Sequence, residues 1–241
     1  MSKIYKRVRP LMPASIQAST YADTEILFDW HKVDARKMSS ISGVQCIVRG
    51  KDGVDQTMAG IDLLFATSHI PTPDDGVNVS VDAVPVTLGT TGAAVDTPGW
   101  FNNLCGLVEI AAGDFNDGDL VYLNIATKSG LDIPVNGDLY VAAIAKGTFD
   151  FRSTIQVNNP SNYAAGANAK ITLDTLDATL AFAPGDLVHA VDDAVVGTVK
   201  TVDSATQITL TAPNTDAIAN NDVLYNANPI TLILSCESWG G

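Results

Sequence analysis

The stretch FAPGDLVHAVDDAVVGTVKTVDSATQITLTAP, residues 182–213, reads as strand, turn, strand, turn, strand. Alternation with a period of two places every second side chain on one face of an extended chain. Asp192-Asp193 and Asp203-Ser204 fall at the expected hairpin tips, where short polar side chains satisfy turn backbone. The same texture runs outward from this stretch in both directions. Residues 25–33, 41–49, 58–66, 106–110, 120–125 and 139–145 alternate in this way, as do 171–176, 187–191, 195–202, 207–210 and 230–235. These runs are rich in Val, Ile, Leu and Thr and bounded by Gly, Pro, Asn and Asp, as strands are. Asp-Gly or Asn-Gly occurs at 52–53, 75–76, 117–118 and 136–137, supplying the positive φ that tight turns require. Helical periodicity is weak. The best candidates, 111–115 and 216–220, are too short to stand without tertiary support. The expected class is all-β, an antiparallel β-sandwich.

A small phrase recurs: GDLVY at 118–122, GDLYV at 137–141, GDLVH at 185–189 and NDVLY at 221–225. Its uneven spacing excludes a solenoid repeat. Each copy reads as a turn that launches a strand: Gly or Asn takes the left-handed position, Asp bonds the turn backbone, and Leu or Val enters the core. Residues 165–226 lie between two Asn- and Pro-containing joints and form a small barrel-like β unit inserted in the main domain. The run at 230–235 then returns to the main sheet. The main sandwich is accordingly 24–164 plus 227–241, preceded by an extended N-terminal arm, 1–23. Residues 68–103, rich in Pro and Gly, read as a long excursion containing one hairpin, and long loops in compact domains are commonly functional.

Of the 241 residues 46% are hydrophobic and 17% charged, which supports a core and argues against disorder and coiled coil. The formal net charge of −13 is unevenly placed. Residues 1–37 carry a net +3, leaving −16 on the remainder. An acidic body repels phosphate, so nucleic-acid binding by the main surface is not expected. No apolar run is long enough to span a bilayer, and no apolar segment follows the basic start, so neither membrane span nor signal peptide is expected. Cys46, Cys105 and Cys236 are odd in number and far apart; Cys46 and Cys236 sit in apolar runs as buried free thiols, which fits assembly in a reducing cytoplasm.

Motifs that dictate chemistry are missing. His31, His69 and His189 show no metal-ligand spacing among themselves or with cysteine. There is no nucleophile elbow and no phosphate loop. GDFNDGDL at 113–120 approaches a calcium loop, but Asp117 and Gly118 arrive one residue early and a turn explains the same letters. The expectation is a protein that is not an enzyme and needs no cofactor or metal.

The start, MSKIYKRVRPLMPASIQASTYAD, carries Pro10 and Pro13 and reads as an arm with little reason to fold alone. Draped over a neighbour it would bury apolar side chains and pair its cations with acids. The candidate partner-binding residues are Lys3, Ile4, Tyr5, Lys6, Arg7, Val8, Arg9 and Leu11 on the arm. Trp100 and Phe101 are the candidates at the end of the excursion, since exposed aromatics gain by being covered.

GDLVYL at 118–123, DIPVNGDLYVAAIAKG at 132–147 and VGTVKTVDSATQITLTAP at 196–213, with the basic arm and the β-rich body, resemble segments of tailed-bacteriophage virion structural proteins. That resemblance implies a non-enzymatic role in a particle. The first expectation is a capsid decoration (cement) protein, assembled in the host cytoplasm and carried on the virion. It would bind the major capsid protein or another virion protein as a homo-oligomer, a trimer by analogy, and stabilise the head. The alternatives are a neck, tail-tube or baseplate component, and a carbohydrate-binding module for host adsorption.

Overall fold

The computed structural model describes residues 3–12, 20–49, 59–67, 87–95, 100–115, 123–135, 137–174, 178–190 and 194–238. Within them the chain is nearly all strand, and every strand pairing is antiparallel. In chain order the strands are β1 (Lys3–Val8), β2 (Ile26–Val33), β3 (Met38–Arg49), β4 (Gly60–Thr67), β5 (Leu104–Ile110), β6 (Leu123–Pro134) and β7 (Leu139–Lys146). They continue as β8 (Lys170–Thr172), β9 (Leu187–Ala190), β10 (Val195–Ser204), β11 (Gln207–Leu210), β12 (Leu224–Asn226) and β13 (Ile230–Ser238).

Two four-stranded sheets make the sandwich. Sheet I has the order β1-β13-β3-β6 and sheet II the order β2-β7-β4-β5. In β13 the alternation is complete: Ile230, Leu232, Leu234 and Cys236 are buried while Thr231, Ile233, Ser235 and Glu237 face outward. The inner faces of both sheets meet in one apolar cluster containing Val44, Cys46, Leu63, Phe65, Val108, Val141, Leu232 and Leu234. Each such side chain contributes about 1.5–3 kcal/mol by leaving water. Strand β7 is apolar on both faces, because sheet II is covered outside as well. Residues 87–95 lie there, with Leu88 packed against Ile26, Leu64 and Ala142. Asp29 on β2 accepts from the Leu88 N–H at 3.1 Å, and Ile26 exchanges backbone bonds with Ala93 and Gly92.

A third sheet, order β12-β9-β10-β11-β8, is built between β7 and β13. It encloses its own cluster, with Ile171, Val188, Val196, Ile208, Ile218 and Leu224, and that cluster also takes in Ile155, Val157 and Tyr163, upstream of residue 165. The five strands do not close into a barrel. Instead residues 155–158 bond both edges: Leu224 N–H donates to Ile155 O and Asn158 N–H to Thr172 O, each within 2.9 Å. The short helical candidate at 216–220 is not a helix; among the described residues of this unit one short α-helix, α1 (Ala178–Ala181), is present. The other candidate, at 111–115, is a 3-10 turn over Ala112–Asp114.

The arm requires a correction. Residues 3–8 are not draped over a neighbour but form β1, the edge strand of the chain's own sheet I, in register with β13 from Lys3 opposite Glu237 to Val8 opposite Leu232. Val8 and Met12 are buried in the sandwich core. Alternation is present in KIYKRV, with Ile4 and Val8 inward and Lys3, Tyr5 and Arg7 exposed. It is masked in the sequence because the intervening place is taken by Lys6, whose ammonium reaches Asp34 at 3.1 Å.

Candidate interaction surfaces

The leader is fastened at its far end by a buried carboxylate. Asp186, the acid of the GDLVH phrase, has 2% of its side chain exposed. Its oxygens take Arg9 Nη1 at 3.3 Å, Arg49 Nη1 in a short contact, Asn226 Nδ2 at 3.1 Å and the Ala183 N–H at 2.7 Å. Arg9 follows β1, Arg49 ends β3, and Asp186 precedes β9, so one carboxylate joins leader, sandwich and third sheet. Burial pushes the Asp186 carboxyl above its ordinary pKa, with Arg49, the Ala183 N–H and Arg9 pulling the other way. Gly185 completes the seat: its φ is +88°, and a Cβ there would stand 2.9 Å from Arg9 Nη1. The two neighbouring phrases keep the same turn chemistry, with left-handed backbone at Gly137 and Asn221. The copy at 118–122 lies outside the described residues. Around this node Met12 N–H donates to Ala227 O, Ala227 N–H to Leu187 O, and Arg49 N–H to Pro229 O.

The expected leader residues therefore divide. Ile4 and Val8 serve the core, Lys6 and Arg9 serve internal ion pairs, and Lys3, Tyr5, Arg7 and Leu11 are exposed. Of the excursion pair, Trp100 begins a 3-10 helix whose backbone is described while its side chain is not. Phe101 in the same turn is 59% exposed. The turn is pinned by Asn103, whose buried amide donates to Thr67 O at 3.0 Å. Directly after it, β5 pairs with β4 on one side only among the described residues. Leu104 and Leu107 on this edge are exposed, Leu107 at 56%. Phe101, Leu104 and Leu107 thus share one sheet edge, and sequence reasoning identified only the first.

The groups considered for chemistry are spread apart. Cys46, Cys105 and Cys236 are free thiols, and burial pushes them up to about 12, 11 and 11. His31 is half-buried on β2 and its pKa is lowered by that burial, while His189 packs its ring against Tyr225 in the third sheet. His69 lies outside the described residues. Asp114, from the calcium-like segment, accepts from the Ala111 N–H and pairs with Lys128 at 2.6 Å, which holds its carboxyl below the usual range. Residues 116–120 of that segment are not described. Among the described residues no group of three His, Cys, Asp or Glu side chains could hold a metal ion, and no helix is long and apolar enough to cross a membrane. No protein-family model and no curated protein matches the chain.

Proposed function

We propose that this chain is a structural protein of a phage particle, a capsid decoration protein that docks on the major capsid protein and reinforces the shell as a homo-oligomer. The observation that carries the reading is the β5 edge. It presents Leu104 and Leu107, with Phe101 beside them, on a strand whose outer hydrogen-bonding side is open among the described residues. Natural edge strands are usually protected by charge, Pro or a bulge; β5 has one exposed charge, Glu109, and one register shift at its start, and its exposed leucines leave room for strand addition by a partner. The opposite edge of sheet I, β1, carries Lys3, Lys6 and Arg7 and is protected in that way. Of the two edges β5 is the more apolar and β1 the more heavily charged, in a body whose net charge keeps free subunits apart. The Asp186 node adds rigidity by fixing the third sheet to the sandwich, which suits a load-bearing part.

The experiment is reconstitution. Shells of the phage that encodes this chain, assembled without it, are incubated with the purified protein and with a Leu107→Lys variant. The wild type should decorate the shells in many copies and raise the temperature at which they release DNA. The variant should fold normally and fail to bind. Equal occupancy by the variant, or a copy number matching a single ring at the neck, would refute the decoration role.

A further inference from the structure

The outer face of sheet I holds a transverse trough that neither the fold nor the proposed assembly role accounts for. Its position follows from strand register. The outward residues opposite one another across the four strands are Tyr5 on β1, Ser235 on β13, Gly43 on β3 and Ser129 on β6. Three small residues in one row make a furrow at right angles to the strands, with Gly43 as its buried floor. A side chain at Gly43 would close the floor, since a Cβ there would meet Lys128 O at 3.1 Å. Each end of the furrow has a wall. At one end stands the Tyr5 ring, 65% exposed. At the other, the pairing of β3 with β6 is interrupted between Ile41 and Gly43, where β6 has extra residues, and Gly130, with φ +72°, and the half-buried Leu131 line the trough. Bulges re-aim strands next to functional sites. The resulting trough measures about 550 Å³, within the range of small-molecule sites.

Its lining selects among ligands. The hydroxyls of Ser129, Ser235 and Thr127 and the amide of Gln45 both donate and accept. The charges cancel: Lys3 stands opposite Glu237, and Lys128 is held by Asp114 outside the trough. A neutral trough on a chain of net charge −13 matches an uncharged ligand. A peptide is a poor match, because the furrow crosses the strands and the β13 and β3 backbone groups along its middle are paired in the ladder. An extended chain laid across it would find few partners for its own amides. A saccharide offers many hydroxyls that suit the Ser, Thr and Gln lining, and an apolar C–H face for the Tyr5 ring. We propose that this trough is a binding site for a neutral oligosaccharide, with Tyr5 as the stacking platform. Its openness makes each site weak, and display in repeated copies would raise the avidity.

The test is a titration of the full chain, followed by the backbone amide resonances, with maltotriose, cellotriose and chitotriose as probes. At least one should give saturable shifts confined to Tyr5, Gly43, Ser129, Ser235 and their neighbours. Tyr5→Ala should weaken binding about tenfold, Tyr5→Phe should retain it, and Ser129→Trp, which fills the furrow from an exposed position, should abolish it. Spectra away from the trough should stay unchanged in all three variants, which reports their folding. Saturable shifts with none of the three sugars, or shifts that survive both Tyr5→Ala and Ser129→Trp, overturn the proposal. Shifts of these same amides with protein concentration and no sugar would overturn it too, by assigning the face to a second copy of the chain. None of these outcomes depends on whether the chain decorates a shell.

Discussion

Replacing Asp186 by Ala removes the one group that leader, sandwich and third sheet share. Four donors lose their acceptor: the Ala183 N–H, the Asn226 amide, Arg9 and Arg49. The Ala183 N–H, donated at 2.7 Å, is left unpaired, at a cost of about 1–3 kcal/mol for a buried donor. Arg9 and Arg49 lose their counter-charge, and removing one member of a buried pair costs about 3–5 kcal/mol when the remaining charge stays dry. Here the two guanidiniums keep 24% and 19% side-chain exposure, so both recover some hydration by turning outward. The expected loss is therefore near the lower end, about 3 kcal/mol in all, which for a chain of this size lowers the melting temperature by roughly 6–12 °C. Urea unfolding followed by circular dichroism measures the loss. Because two separate apolar clusters can unfold separately, amide exchange should be read alongside it. Exchange should quicken at Ala183 and at Met12, whose amide is held by Ala227. A double-mutant cycle between Arg9→Ala and Asp186→Ala should give a coupling of about 1 kcal/mol or more. A loss below about 1 kcal/mol, with exchange unchanged at both amides, would show that the node is incidental and the leader is held by its apolar side chains alone.

Deletion of residues 1–12 takes away the burial of Val8 and Met12 at about 1.5–3 kcal/mol each, hence roughly 3–6 kcal/mol; an unchanged urea midpoint would contradict this. The three thiols, pushed up to about 11–12, should react slowly with Ellman's reagent in the folded protein at about pH 8 and quickly once urea unfolds it, with Cys46 the last to react. Carboxyl resonances should titrate below 3.8 for Asp34, Asp114 and Asp203, which Arg36, Lys128 and Thr209 respectively hold down most strongly, and above it for Asp186. The first three contribute stability above their unfolded values and lose it as pH falls through the depressed ones; Asp186 does the reverse, its contribution fading as pH rises through its raised value. Reversed order between Asp186 and the other three would overturn this account of the node.

The strands that sequence made legible are those with a clean division between faces. Strand β11 occupies the expected 207–210, and β7 begins at the expected Leu139 after its Asn-Gly turn. Strand β6 was legible only at its start, 120–125, although it runs to Pro134, because its second half carries the bulge and alternation lapses there. Strand β1 was hidden by Lys6 in an inward place, a substitution tolerable only at a sheet edge where the ammonium can reach Asp34. Helix α1 is a single turn set by its surroundings, which no local pattern announces. On the functional side, the Trp100-Phe101 pair lies at the same end of the excursion as the β5 edge, but Leu107 reads as an ordinary strand residue until β5 is known to be an edge. The trough was illegible for a firmer reason. Tyr5, Gly43, Ser129 and Ser235 come from four strands and meet only through their register.

The order of sheet I ties β1 to β13, a strand far downstream of it in the sequence. With β13 between β1 and β3, β1 has no neighbour to pair with until β13 has left the ribosome. Through synthesis the cationic leader stays unpaired, so a chain cut short upstream of β13 leaves its own beginning undone. Closure of sheet I is in this way checked by its topology, and only chains that include β13 can complete the sandwich.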